Sequence, residues 1–199
     1  MFCMKRLLPI LLLVFSVGVG ADVTGSVRVT DGDSIKIGNT RVRLHGIDAP
    51  ERKQSCKKNS HTWRCGSEAT SRLRGMVDGR EVHCKGNRKD RYGRLLAVCF
   101  VNGTNVNAAM VQFGLALAYR KYSSAYVSQQ RDAKRAKRGL WAGEFVAPWD
   151  WRRGKRLESK DTNQANCCKI CRKGKACGNS CIRKTYTCHK SPGCACDAK

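Results

Sequence analysis

Apolar and polar residues alternate from Val23 to Leu44. Val23, Gly25, Val27 and Val29, then Ile35 and Ile37, then Val42 and Leu44, each stand between polar neighbours. A period of two is that of a half-buried strand, and the pairs Asp31-Gly32 and Gly38-Asn39 cut the run into three antiparallel strands. The period then changes. Ala69, Leu73, Met76 and Val77 share one face of a helix that starts with Ser67 as its cap and stops at Gly79. Residues 81–85 and 94–101 predict a hairpin, with Asp90-Arg91-Tyr92-Gly93 as its turn. A second helix covers 105–113, with Val106, Ala109, Met110 and Phe113 at helical spacing. A third covers 124–138, exposes Arg131, Lys134, Arg135, Lys137 and Arg138, and ends at Gly139. Trp149 and Trp151 close the domain, and the polar stretch 154–166 reads as a linker. Five strands with three helices around them predict an α+β domain, a five-stranded Greek-key barrel of the OB type.

The hairpin sets a covalent expectation. A turn centred between Arg91 and Tyr92 places Cys84 directly opposite Cys99, within disulfide reach at a non-hydrogen-bonded position. Cys56 and Cys65 are placed to close the loop between them. The eight cysteines from Cys167 to Cys196 lie in a segment whose sizeable apolar residues are Ile170, Ile182 and Tyr186. Such a segment cannot bury a core, so links must hold it. Four disulfides suit it, and the spacing Cys168-Lys-Ile-Cys171 also suits zinc.

Cysteine usage and the first residues place the chain outside a reducing compartment. Lys5 and Arg6 precede an apolar run over 7–19, and Val19-Gly20-Ala21 has the spacing of a cleavage site. This is the order of a secretory signal peptide, and the run is shorter than the ~20 residues a membrane span needs. The expected division is a signal peptide over 1–21, a barrel domain over 22–153, a linker over 154–166 and a Cys-rich tail over 167–199. The mature protein is expected to be secreted or periplasmic, without stable membrane insertion. Cys3 leaves with the leader, and the other twelve cysteines are an even number, as disulfides require. The formal charge of +24 opposes self-association, which favours a monomer, and attracts polyanions.

Three segments carry groups suited to phosphate chemistry. Asp31-Gly32-Asp33-Ser34 sets two carboxylates at a turn. Arg43-Leu44-His45-Gly46-Ile47-Asp48-Ala49-Pro50-Glu51 ends a strand with one arginine and two more acids, and Asp90-Arg91-Tyr92-Gly93-Arg94 adds arginines at the hairpin. Oxygen ligands such as Asp33 and Asp48 select Ca²⁺ or Mg²⁺ over zinc, and arginine gives planar bidentate donors to phosphate. His45, His61, His83 and His189 show no metal spacing. Tyr119-Arg120-Lys121-Tyr122 joins aromatic and basic residues, as stacking of unpaired bases requires.

The three segments, in this order and spacing, resemble the staphylococcal nuclease (thermonuclease) family from about Val23 to Arg153. The resemblance implies a calcium-dependent phosphodiesterase, an endonuclease acting on DNA and RNA. It makes Asp33 and Asp48 the calcium carboxylates, Ala49 a ligand through its carbonyl, and Asp31 a group acting through water. It makes Arg43 and Arg94 the phosphate-gripping arginines, Glu51 the residue that orients or deprotonates water, and Arg91, Tyr92 and Tyr119 the substrate contacts. Ala49 replaces the founding member's threonine, and the founding member lacks the Cys56 and Cys65 that the 53–66 loop carries here. Two other readings stay open: a barrel that binds nucleic acid with little or no cleavage, and a cationic, disulfide-stapled toxin or wall-binding protein with the barrel as scaffold.

Overall fold

The computed structural model describes residues 22–157 and 167–198. The expected signal peptide and most of the expected linker lie outside the described residues. The chain forms two compact units, the first through Lys155 and the second from Arg156.

In the first unit β1 (Val23–Asp31), β2 (Ser34–Ile37) and β3 (Thr40–Leu44) follow one another as an antiparallel meander. Two-residue β4 (Ile47–Asp48) comes next, then a small hairpin of β5 (Cys56–Lys58) and β6 (His61–Trp63). Helix α1 (Cys65–Val77) leads to β7 (Glu81–Lys89) and β8 (Leu95–Val101). The sheet order is β3-β2-β1-β7-β8, and a parallel β3–β8 pairing closes it into a five-stranded barrel. Closure removes the open edges that a five-stranded sheet would otherwise expose. Short β9 (Thr104–Asn105), α2 (Val106–Gln112), β10 (Leu117–Ala118), α3 (Val127–Arg135), a 3₁₀ turn over Gly139–Ala142 and α4 (Pro148–Arg152) complete the unit.

The period-two alternation fills the barrel. Val29, Ile35, Ile37, Val42, Leu44, Val82, Leu95, Ala97 and Val101 all point into one buried cluster, with Leu73 and Val77 of α1 and Met110 of α2 packed on it. Asn107 is fully buried and pins α2 to the barrel: its amide donates to the carbonyls of His45 and Ala97, and its oxygen accepts from the Cys99 amide.

Several boundaries differ from the sequence expectation. Helix α1 begins at Cys65, not after a Ser67 cap; its N-cap residue Arg64 makes no side-chain cap, and the Ser67 hydroxyl donates to the Arg52 carbonyl instead. Helix α3 is shorter than 124–138 at both ends. A fourth helix, α4, follows Ala147, with Pro148 at its first position, where a missing N–H costs nothing. The hairpin register is instructive. Asp90 and Arg94 bracket a loop centred on Tyr92, one half-step away from the expected turn centre. A bulge between Lys85 and Arg88 then restores the offset, so Cys84 still faces Cys99 and the two are bonded. Gly86 sits in that bulge because a Cβ there would lie 2.3 Å from the Leu96 carbonyl oxygen.

The second unit holds a parallel pair, β11 (Lys169–Cys171) with β14 (Ala195–Asp197), and a hairpin of β12 (Lys175–Cys177) and β13 (Ser180–Ile182). Disulfides join Cys167–Cys196, Cys168–Cys194, Cys171–Cys181 and Cys177–Cys188. All eight tail cysteines are thus paired, which leaves none as a thiolate for zinc. With Cys56–Cys65 in the first unit, the disulfide density points to an oxidising environment. No helix among the described residues is long and apolar enough to cross a membrane.

The Cys56–Cys65 bridge spans 9 positions and ties the β5–β6 hairpin to the start of α1. Restricting so short a loop in the unfolded chain is worth about 3 kcal/mol. The double variant Cys56→Ala/Cys65→Ala is therefore expected to lose about 2–3 kcal/mol in urea titration while keeping its far-UV circular dichroism.

Candidate active site

At one end of the barrel the chain gathers four acids. Strand β1 ends at Asp31, and the tight Asp31-Gly32-Asp33 turn delivers Asp33 to the buried side, 2% exposed. Its backbone carbonyl accepts from the Leu44 amide at 2.9 Å, which locks the turn to the end of β3. One Asp33 carboxylate oxygen accepts from the Arg43 guanidinium and from the Ser34 hydroxyl, and the other accepts from the Ala49 amide at 2.8 Å. Arg43 reaches it because β3 places Arg43 directly across from Ser34. The second Arg43 nitrogen donates to Asp48 at 2.6 Å. Asp48 belongs to β4, which pairs with β10, and its side chain is fully buried.

Helix α4 completes the cluster. Arg152 of α4 donates to both Asp48 oxygens, at 3.1 and 2.7 Å, and to Glu51 at 2.6 Å. Asp33, Arg43, Asp48, Arg152 and Glu51 therefore form one continuous ion-pair chain. The Glu51 segment is held from beneath by Gln54, also fully buried. The Gln54 side chain accepts from the Glu51 amide and donates to the Val146 carbonyl, and its own amide donates to the Glu51 carbonyl. The first turn of α1 then closes on that carbonyl, so tightly that a Cβ on Gly66 would sit 1.7 Å from the Glu51 oxygen.

The hairpin residues form a second group. Arg94 is held by Asp90, at 2.7 Å from both Nε and a terminal nitrogen, and lies over the Tyr92 ring. Arg91 donates to the Tyr92 hydroxyl and covers the same ring. Arg94 and Asp31 line one groove of about 600 Å³ but make no ion pair with each other among the described contacts. Tyr119 stacks flat on Trp149, centroids 5.4 Å apart, and meets Tyr122 edge-on. The sequence-derived set thus divides: Asp31, Asp33, Arg43, Asp48, Ala49 and Glu51 lie together, while Arg91, Tyr92 and Arg94 form the adjoining rim, and Tyr119 follows β10. Sequence reasoning missed Arg152 and Gln54. Pro148 is a signal that could have marked the start of α4, but nothing in the pattern aims Arg152 at Asp48.

The charge balance of the cluster is uneven. Four carboxylates face two guanidinium groups. Burial opposes the charge on Arg43 and Arg152, yet their acid partners overcome it and hold both above the ordinary arginine value. Burial, and then the neighbouring Asp33, push the Asp31 carboxyl up to about 6. Burial also raises Asp33, with Arg43 pulling the other way. Among the described residues no three acid, histidine or cysteine side chains are gathered to hold a metal as they stand. The donors at Asp31, Asp33, Asp48 and the Ala49 carbonyl are nonetheless all oxygen, and the surplus charge is negative. That set fits a hard divalent cation and does not fit a soft one.

Comparison with known proteins identifies the family. The sequence model of the family described as staphylococcal nuclease homologue matches residues 41–143. An uncharacterized endonuclease of Escherichia coli O157:H7 is 38% identical over 162 residues, covering 76% of this chain and 100% of that protein. A micrococcal nuclease of Shigella flexneri is 38% identical over 160 residues, 71% of this chain and 87% of its own. A probable staphylococcal-like nuclease of Oryza sativa subsp. japonica is 31% identical over 135 residues, 66% of this chain and 33% of its own. Asp31, Asp33 and Arg152 lie outside the span matched by the family.

Two predictions follow from the charge balance, both for protein kept in chelator. Arg152→Met leaves buried Asp48 with Arg43 alone and is expected to cost about 2 kcal/mol in urea titration, less than the loss of a sole partner would. For Asp31 the folded pKa of about 6 lies above the ordinary 3.8. Its contribution to stability is complete below about pH 4 and disappears as pH rises to 6. Asp31→Asn should therefore match wild type more closely at pH 4 and be the more stable protein at pH 7. An equal difference at both values would show that Asp31 does not carry this penalty.

Proposed function

Since the chain belongs to the staphylococcal nuclease family, we propose that it is an exported, calcium-dependent endonuclease that hydrolyses the phosphodiester bonds of DNA and RNA. The observation that carries the reading is the continuous chain Asp33–Arg43–Asp48–Arg152–Glu51 at the barrel end, with a surplus of negative charge on oxygen donors. Two buried carboxylates where a polyanion must approach oppose its binding and suit a site that also takes a divalent cation.

In this reading Asp33, Asp48 and the Ala49 carbonyl would hold calcium and Asp31 would act on it through water. When bound, the ion supplies positive charge to the attacked phosphate and eases ionisation of water. Arg43 binds a non-bridging phosphate oxygen with the face not used by Asp33 and Asp48, and Arg94 leaves Asp90 to bind another. Both stabilise the charge that grows on the phosphate as the water oxygen bonds to phosphorus and the ester P–O bond breaks. Glu51 orients the water and takes its proton; the leaving oxygen takes one from solvent. Arginine holds its proton too tightly to be a comfortable donor, so Arg94 is assigned an electrostatic role. Arg152 is a positioning residue that fixes the Glu51 carboxylate beside Asp48. Arg91 and Tyr92 contact an outer phosphate, and Tyr119 a base, with Trp149 stacked behind it.

The high density of disulfides supports export, and the large positive charge supports a monomer. The segment over 167–199 is read as a separate module joined to the 22–153 domain through a linker.

The test is cleavage of plasmid DNA and of RNA by the mature protein, first with millimolar Ca²⁺ and then with chelator. Cutting is expected only with calcium. Arg43→Ala, Glu51→Ala and Arg94→Ala should each lower kcat by about two orders of magnitude or more; Glu51→Ala and Arg94→Ala should keep their stability, whereas Arg43→Ala, which strips buried Asp33 of its guanidinium partner, should also lose about 3–5 kcal/mol in urea titration. Undiminished cutting in chelator would reject calcium; binding without cutting in calcium would favour the binding-module reading.

A further inference from the structure

The outer face of the β1–β2–β3 meander carries a row of cations. Arg28 pairs directly with Lys36 across β1 and β2, and Lys36 pairs directly with Arg41 across β2 and β3. All three stand on the face opposite Val29, Ile35 and Val42, which are buried. Like charges directly opposite each other on neighbouring strands are destabilising, and here two such pairings stand in line. None of the three has an acidic partner among the described residues. Arg41 donates to the Tyr92 carbonyl, which draws the end of the row towards the Asp90–Arg94 loop.

The row is continuous with the candidate active site. Arg28, Lys36 and Arg41 line the same groove of about 600 Å³ as Asp31, Ser34 and Arg94. Two residues along β2 and β3 lies the next row, Ser34 opposite Arg43. That step is about 7 Å along the strands, and the row itself extends about 10 Å across them. A cation row one short step from the arginine that grips the scissile phosphate, with Asp31 in the next row beside Ser34 and no acid in the row itself, is matched by an anion that repeats at short intervals.

We propose that Arg28, Lys36 and Arg41 form a backbone track for the polynucleotide flanking the cleaved bond, binding phosphates of an unpaired strand without reading its bases. The inference rests on the nuclease reading of the adjoining site. It adds to it the path of the substrate: the strand leaves the cleavage point over the β1–β2–β3 face and follows the groove. Phosphate contacts of this kind strengthen binding, independent of sequence and in proportion to the counterions released. They do not act on the bond being broken. The repulsion within the row is then the stability cost of holding three charges ready for that strand.

The experiment uses the full mature chain and the double variant Arg28→Gln/Lys36→Gln, which leaves Arg41 on Tyr92 and touches no residue of the Asp33–Glu51 cluster. Affinity for a fluorescent single-stranded oligonucleotide is measured in chelator over a range of salt, and kcat and KM are measured with calcium on that oligonucleotide and on a dinucleotide. The variant is expected to bind the oligonucleotide about tenfold more weakly at low salt. Its slope of log K against log salt should be shallower by about 1.4, that is about 0.7 for each lost contact to a single strand. KM for the oligonucleotide should rise with kcat unchanged, dinucleotide cleavage should match wild type, and urea stability should equal or exceed wild type. An unchanged salt slope overturns the track. So does a loss on the dinucleotide as large as on the oligonucleotide, which would place these residues at the cleavage point. Failure of wild type to cut either substrate while the slope still changes would reject the nuclease reading and leave the binding track standing.

Discussion

Asp48 is the constraint on which the rest depends. Its carboxylate is fully buried at the end of the barrel, and an unpaired charge there would be prohibitive. It is paired from two directions, by Arg43 of the barrel and by Arg152 of α4. Those two pairings decide much of the local architecture. The first requires β3 to end with an arginine on the face that meets the Asp31-Gly32-Asp33 turn. The second requires the chain to return after α3, pass Pro148 and present α4 beside β4. Gln54 and the close approach of α1 at Gly66 then fix Glu51 where Arg152 can reach it.

The cluster and the cation row solve opposite electrostatic problems on one surface. Around Asp48 the negative charge exceeds what two guanidinium groups offset, and the Asp31 carboxyl feels the surplus. One step away the positive charge is unrelieved, across Arg28, Lys36 and Arg41. A phosphate chain with its divalent counterions carries both signs and relieves both. The rim residues between them, Arg94 and Tyr92, are held by Asp90 and by mutual packing and so belong to neither side.

Much of this was legible in the sequence because its causes are local. The period of two along β1 to β3 is the requirement that one face of a closed sheet be buried, and the acid and arginine segments lie at the turns and strand ends where the structure has them. The Cys84–Cys99 pairing was reached through an expected turn that differs from the observed one, and the bulge at Gly86 restored the register. The start of α1 was misjudged because the Cys56–Cys65 bridge and the packing of Gly66 on Glu51 fix the helix there, in place of a side-chain cap. Arg152 was invisible for a different reason. Its partners, Asp48 and Glu51, are about a hundred positions away, and no periodicity links residues at that separation. The tail's pairing was likewise beyond reach, since spacing alone does not select one connectivity among many.

The late position of Arg152 has a consequence for how the molecule is made. Chains emerge from the ribosome from the amino end at about 5–20 residues per second. Asp33, Arg43 and Asp48 are therefore in place seconds before the guanidinium that completes their charge balance. Until α4 is made, Asp48 has Arg43 alone as its cation and Glu51 lacks its ion-pair partner. A chain that ends before α4 has no Arg152, and its Asp48 and Glu51 lack that ion-pair partner.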